Sequence, residues 1–268
     1  MTRYAPMFER LEGEREAALG AFLMLGDPGK KASARLLDAL VEGGADMIEV
    51  GIPFSDPVAD GPVIQAAANR ALNAGIRVDD CFDLLRQFRT RHAQIPVGVL
   101  TYANIAVARG VERFFADAAQ AGVDSILLAD VPALEAQPFA ERARTTGLDW
   151  VMIAAPNTPA AMLERIAGLS SGYTYCVTRF GVTGARQTIE FAHGDLLERL
   201  DRFGAPPPVF GFGISDPEQV AAAVTAGAKG VIVGSTLVAL AAGTDATQRI
   251  AEKVRLLKAA TRPLVAAN

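Results

Sequence analysis

Short apolar runs alternate with longer amphipathic stretches along the whole chain, and that alternation limits the fold more than any other feature. The runs are residues 19–25, 47–51, 97–101, 125–129, 150–154, 173–177, 209–212 and 230–233, which makes eight candidate strands. Several are unbroken apolar blocks. Strands buried on both faces of a parallel sheet have this pattern, whereas a strand with one wet face alternates. Helix-like stretches lie between them. Residues 32–42 carry Leu36, Leu37, Leu40 and Val41 on one stripe, 111–121 carry Phe114, Phe115 and Ala118, and 159–169 carry Met162, Ile166 and Leu169. Residues 217–226 open with Pro217 after Ser215-Asp216, a good helix start. Gly43-Gly44, Gly122, Gly147, Gly168 and Gly227 sit where these helices should stop.

Eight strand-then-helix units close naturally into a (β/α)₈ barrel of one domain, with an open doubly wound sheet as the competing arrangement. The chain length of 268 residues suits a single barrel, which typically needs ~250. Residues 1–16 read as an extra leading helix, with Tyr4, Met7, Phe8 and Leu11 at helical spacing, placed to plug the barrel bottom.

Three constellations carry chemistry. The first is Glu49, inside the second strand. Alternation puts Met47, Glu49 and Gly51 on one face, and either face of a barrel strand is buried. No Lys or Arg lies nearby in sequence. Desolvation should therefore raise the pKa of Glu49, so that it can give and take a proton near neutrality. A structural ion pair with a distant basic residue is the other reading. The second is the loop of residues 51–62, stiffened by three prolines and carrying Asp56 and Asp60. Active sites of such barrels lie on these βα loops, although Asp60 also reads as the cap of a helix beginning near Pro62. The third is a set of glycine turns after the last three strands: Gly181-Val182-Thr183-Gly184, Gly211-Phe212-Gly213-Ile214-Ser215 and Gly234-Ser235. Glycine lets backbone N–H groups approach an anion, and a helix starting at Ser235 favours negative charge. A phosphate site is the expectation.

Other chemistry is disfavoured. The net charge of −4 supplies no basic patch for nucleic acid. Cys81 and Cys176 build neither a disulfide framework nor a metal site, and fit a reducing cytoplasm. His92 and His193 read as surface residues, which leaves no histidine base and no metal cluster. The apolar segments are too short for a bilayer, and the start lacks the layout of a signal peptide.

The run from Glu49 to Gln65, Glu-Val-Gly-Ile-Pro-Phe-Ser-Asp-Pro-Val-Ala-Asp-Gly-Pro-Val-Ile-Gln, is very similar to the signature of the tryptophan synthase α subunit family. Leu25-Gly26-Asp27-Pro28, Thr101-Tyr102-Ala103-Asn104, Ala129-Asp130-Val131-Pro132 and the three glycine turns resemble the family's other loops, so the likeness runs from Phe8 to about Lys258.

The resemblance implies a retro-aldol lyase that splits indole-3-glycerol phosphate into indole and glyceraldehyde 3-phosphate. Glu49 matches the general acid and base, Asp60 the carboxylate that receives the indole N–H, and Tyr175 a tyrosine beside Glu49. Phe22, Ile64, Leu100, Leu127, Phe212 and Ile232 match positions enclosing the indole. Gly184, Gly213, Gly234 and Ser235 match phosphate contacts, and Thr183 lies on a mobile loop. The resemblance also implies a β subunit in an α₂β₂ heterotetramer. Pyridoxal phosphate belongs to that partner and no cofactor to this chain. Asp56, Pro57, Asn104 and Pro132 match the partner-facing positions. The chain departs from the family pattern at Phe180, where a small residue is expected, and at Ala154-Ala155-Pro156-Asn157. Three other readings stand beside this one: an autonomous lyase needing no β subunit, a non-catalytic phosphate-binding barrel that activates a partner, and a phosphosugar isomerase.

Overall fold

The computed structural model describes residues 2–177 and 194–262. In chain order the elements begin α1 (Tyr4–Glu14), β1 (Ala18–Met24), α2 (Lys30–Glu42), β2 (Met47–Gly51), α3 (Pro62–Asn73), α4 (Val78–Arg91) and β3 (Val97–Thr101). Next come α5 (Ala103–Arg109), α6 (Val111–Gln120), β4 (Ser125–Leu128), α7 (Gln137–Thr146), β5 (Asp149–Trp150), β6 (Ile153–Ala154) and α8 (Ala160–Leu169). The chain ends with β7 (Thr174–Val177), α9 (Gly194–Arg202), β8 (Pro208–Gly211), α10 (Pro217–Thr225), β9 (Gly230–Val233), α11 (Ser235–Ala241) and α12 (Ala246–Ala259).

The strands pair in parallel, in the order β5-β4-β3-β2-β1-β9-β8-β7-β6. The two ends of that order are neighbours in the chain, separated by Val151 and Met152. The Val151 N–H donates to the Ile126 carbonyl on one side, and the Tyr175 N–H donates to the Met152 carbonyl on the other. The single fifth strand expected from sequence is therefore one run that changes neighbours midway, and the sheet closes as an eight-stranded barrel. Here the sequence reading needs correction in detail only: in place of one strand over residues 150–154 there are two short pieces, Asp149–Trp150 and Ile153–Ala154.

The register assigns the inner face. Phe22, Glu49 and Gly98 are partners across β1, β2 and β3, and Gly51, Leu100 and Leu127 across β2, β3 and β4. Glu49 bonds to Tyr173, which leads into β7. Three strands separate β2 from β7 in the sheet, so the contact crosses the interior. The alternate residues Ile48, Val50, Val99, Ile126 and Val231 face the helices, all nearly fully buried. Burial of such a side chain contributes about 1.5–3 kcal/mol.

Helix α1 closes the N-terminal end, as the spacing of Tyr4, Met7 and Leu11 predicts; all three are buried. The Tyr4 hydroxyl lies 2.8 Å from Ser125 Oγ, and its ring meets Tyr173 edge-on at 5.2 Å. The helix ends follow the glycines with one exception. Gly44, Gly122, Gly147 and Gly227 have φ between 77° and 104°, the left-handed conformation that ends a helix. Gly168 instead lies inside α8, which runs on to Leu169.

Candidate active site

Glu49 projects into the barrel from the middle of β2 and is 2 % exposed. Its one hydrogen-bond partner among the described residues is Tyr173, whose hydroxyl donates to Oε1 at 3.1 Å. No described Lys or Arg pairs with it, so the ion-pair alternative has no support among the described residues. Burial pushes this carboxyl up to about 8, against the opposing effect of the tyrosine hydrogen bond. A carboxyl in that range exchanges its proton near neutral pH. The Phe22 ring leans over Gly51, the next inward position above Glu49: a Cβ at Gly51 would come within 2.9 Å of Phe22 Cζ.

Asp60 lies half-buried on the β2–α3 connection. The capping alternative fails for a local reason. Gly61 occupies the N-cap of α3 and no side chain caps that end, while the Asp60 carbonyl accepts from Gln65 Nε2 at 2.7 Å. The Asp60 carboxyl instead meets the Tyr102 hydroxyl. Burial holds its pKa above the ordinary carboxylate value, and the Tyr102 hydrogen bond works in the other direction.

Tyr175 is inward and buried, close enough to Glu49 for that charge to help raise its pKa, and its hydroxyl is engaged at the end of the neighbouring strand β8. It accepts from the Phe212 backbone N–H, and it sits where a Cβ on Gly211 would be. Gly211 is therefore glycine because any side chain would collide with this tyrosine. The hydroxyl that reaches Glu49 is that of Tyr173. Sequence reading passed over Tyr173 and Tyr102. Both were legible as continuations of the inward alternation, Tyr173 two residues before Tyr175 and Tyr102 two residues after Leu100.

Phe22, Leu100, Leu127 and Ile232 all take inward positions by register, and Ile64 joins them from α3, 7 % exposed. Phe212 follows Gly211 and by alternation would point outward. Its φ of 59° reverses that, and its ring meets Tyr175 edge-on at 5.5 Å. A cavity of about 550 Å³ opens where the fifth strand changes neighbours, lined by Leu127, Ala129, Pro132, Ile153 and Met162 among others.

On the opposite rim Gly213 continues the left-handed backbone at φ 87°. Gly234 caps α11 and Ser235 opens it. The first amides of a helix have no partner within it, and here they belong to Ser235 and its neighbours. Gly184, Thr183 and Phe180 lie outside the described residues, as does His193. His92 is not a free surface residue: it ends α4 half-buried, with Nε2 2.8 Å from an Asp38 oxygen. Among the described residues no three His, Cys, Asp or Glu side chains gather as a metal site, and no helix is long and apolar enough to cross a membrane.

Asp56, Asn104 and Pro132 are exposed and Pro57 is partly so. Asp56 and Pro57 sit on the connection after β2 and Pro132 on that after β4, while Asn104 lies in the first turn of α5, which follows β3. Of the five exposed large hydrophobic residues among those described, Val58, Val63, Val107 and Leu134 belong to the segments that follow these same three strands, and Leu256 stands apart on α12.

This architecture has close counterparts. Residues 8–266 match the family model described as tryptophan synthase alpha chain. The tryptophan synthase alpha chain of Shewanella amazonensis is 49% identical over 238 residues, 89% of this chain and 90% of that one. That of Klebsiella pneumoniae is 45% identical over 267 residues, 98% of this chain and 99% of its own. Among solved structures, a chain of Mycobacterium tuberculosis tryptophan synthase superposes with a TM-score of 0.88 at 33% identity, covering 97% of this chain and 98% of that one. A chain of the tryptophan synthase a2b2 complex from Pyrococcus furiosus gives 0.82 at 39% identity, covering 91% and 98%. With a family match over nearly its full length and a barrel of the same shape, the chain belongs to the tryptophan synthase alpha chain family.

Proposed function

We propose that this chain cleaves indole-3-glycerol phosphate to indole and glyceraldehyde 3-phosphate, working as the α chain of a tryptophan synthase with a β subunit. One observation carries the reading: a carboxyl buried inside the mouth of a barrel, with no cation beside it among the described residues and its pKa lifted to about 8. Protonated Glu49 delivers its proton to indole C3, which makes the ring a cationic indolenine. The resulting carboxylate takes the proton from the hydroxyl on the adjoining side-chain carbon. The bond between that carbon and C3 then breaks: its electron pair returns to the ring to give indole, and the carbon leaves as the aldehyde. Proton transfer of this kind contributes roughly 10²–10⁴-fold.

Asp60 stabilises the cationic ring by receiving the indole N–H, a preorganised charge in a water-poor site. The aromatic and aliphatic inner wall suits an indole better than a small sugar phosphate, which sets the phosphosugar isomerase aside. Gly213, Gly234 and Ser235 hold the phosphate through backbone amides. The exposed apolar residues beside Asp56, Asn104 and Pro132 form the face for the β subunit. In this reading the acid, the base and the anion contacts all come from the chain itself, and pyridoxal phosphate belongs to the partner. The reading also places the chain in the cytoplasm, where Cys81 and Cys176, both buried and free, stay reduced.

The test is incubation of the purified chain with indole-3-glycerol phosphate, with and without a β subunit, followed by assays for indole and glyceraldehyde 3-phosphate. Indole release that rises when the β subunit is added is the expected result. No indole under either condition overturns the reading.

A further inference from the structure

Tyr102 joins three connections at the rim. It follows β3 in extended conformation, φ −117° and ψ 147°, and caps the start of α5. This backbone continues the inward alternation of Gly98 and Leu100, so the ring stands at the mouth, 2 % exposed. Its ring centroid lies 5.3 Å from that of Phe54 on the β2–α3 connection, the two rings tilted by 31°. Its hydroxyl accepts from the Ala59 N–H at 3.2 Å, on the same connection and next to Asp60. Its own backbone neighbour is fixed in turn, because the Ala103 N–H donates to Asp130 Oδ1 at 2.8 Å on the segment after β4.

We propose that Tyr102 is a positioning residue for the cleavage, holding the Asp60 carboxyl at the height of the indole ring. The proposal rests on the reading that Asp60 acts in that reaction. The logic is geometric. The connection carrying Asp60 has no strand or helix of its own between β2 and α3, so no ladder of backbone hydrogen bonds holds it. One ring and one hydroxyl from the adjacent strand therefore hold it at two points, Phe54 near its start and Ala59 near its end. The hydroxyl group has one oxygen to accept with and one proton to donate. The oxygen is engaged by Ala59, and the proton is directed to the Asp60 carboxyl. A ring without the hydroxyl would keep the Phe54 contact and release the end that carries the charge. Misplacement of a charged group by a fraction of its hydrogen-bond length is enough to lose most of its effect on a developing cation.

The experiment compares Tyr102→Phe, Tyr102→Leu, Asp60→Asn and the double variant Tyr102→Phe/Asp60→Asn with the unaltered chain. Steady-state indole release is measured in the presence of a β subunit, and thermal melting serves as the control for folding. Tyr102→Phe is expected to melt with the unaltered chain and to lose about tenfold in kcat with KM changed less than twofold, the size of one hydrogen bond to a charged group. In the Asp60→Asn background the same change is expected to have no further effect, since the group it positions is gone. A purely structural role would add its full cost to both backgrounds. Tyr102→Leu, which also removes the ring contact, is expected to be slower than Tyr102→Phe. Unchanged kcat in Tyr102→Phe, or an equal loss in both backgrounds, overturns the proposal about Tyr102. Full activity in Asp60→Asn overturns the reading of Asp60 itself, and the two failures are told apart by which single variant is active.

Discussion

Buried carboxylates occupy both ends of this barrel, and their surroundings are opposite. At the N-terminal end Asp46 precedes β2 and Asp124 precedes β4. Asp46 accepts from the Leu19 N–H at 2.9 Å and is paired with Arg10 at 3.0 Å and Lys258 at 2.8 Å. Asp124 accepts from the Val97 N–H at 2.9 Å and is paired with Arg3 at 2.8 Å and Arg89 at 3.1 Å. At the C-terminal end Glu49 has a tyrosine hydroxyl and Asp60 another, with no cation for either among the described residues. Glu49 is only three residues from Asp46, so β2 and the residue leading into it carry both kinds. The lower pair has its hydrogen-bonding capacity filled by the protein and ties α1, α4 and α12 to the strands. Each member of the upper pair has a tyrosine hydroxyl and a pKa raised by burial, and perturbed carboxyls of this kind cluster at functional sites. In barrels of this kind the lower face serves stability and the upper face chemistry.

The largest expected effect comes from breaking the upper pair. Glu49→Gln keeps shape and hydrogen bonding to Tyr173 but ends proton transfer, and is expected to lower indole release by at least ~10³-fold. Circular dichroism should show an unchanged fold. Residual turnover within tenfold of the unaltered chain would remove Glu49 from the acid–base role.

The same substitution sharpens the comparison through pH. The folded pKa of Glu49 is raised, from 4.5 to about 8. Between those values the folded chain keeps the proton and the unfolded chain has lost it. Stability from this group is thus fully present below pH 4.5 and is lost as pH rises toward 8. The glutamine variant has no such loss. Its stability relative to the unaltered chain should therefore rise by about 1.4 kcal/mol per pH unit within that window, read from denaturant midpoints at several pH values. A flat difference would mean that Glu49 ionises in the fold as freely as in water.

Breaking the lower pair has a different signature. Asp124→Ala strips Arg89, only 14% exposed, of its carboxylate and leaves the Val97 N–H without its acceptor. Loss of one partner of a buried pair typically costs 3–5 kcal/mol; Arg3 on the same carboxylate is a third exposed, so about 3 kcal/mol is expected. Turnover of the folded fraction should stay within twofold. A large fall in kcat at unchanged stability would contradict the division between the two ends.

Much of this was legible in the chain because periodicity is a local signal. Glu49 stands out as a carboxylate at an apolar strand's centre, and Asp60 as an acid on a proline-stiffened loop. Phe22, Leu100, Leu127 and Ile232 follow the inward register. What escaped was anything decided by contacts across the barrel. That Tyr173 as well as Tyr175 stands beside Glu49, and donates to it, depends on which hydroxyls span the interior. The inward turn of Phe212 depends on a φ of 59° that alternation does not foresee. The split fifth strand depends on neighbours supplied by β4 and β7. The lower carboxylates were written in the sequence as Gly44-Ala45-Asp46 and Gly122-Val123-Asp124, a repeated approach to a strand. Their cations come from as far away as Lys258, 212 positions along the chain from Asp46.

The smallest expected effect tests whether the upper rim is itself divided. Val58 is 76% exposed and Leu134 63%, on the connections after β2 and β4, while Leu256 is 61% exposed on α12. Exposed apolar side chains next to one another mark contact surfaces more often than isolated ones do. An aspartate in place of any of the three adds charge where no packing is lost, so melting temperature and the turnover of the isolated chain should hardly move. If the rim above β2 to β4 receives the β subunit, Val58→Asp and Leu134→Asp each place a charge within an apolar contact and should weaken that association about tenfold, or ~1.4 kcal/mol. Leu256→Asp should leave it unchanged. Titrating the β subunit and following stimulated indole release gives the three affinities. An equal fall in all three would point to a general effect of charge, and no fall at Leu134 would confine the contact surface to the connections after β2 and β3.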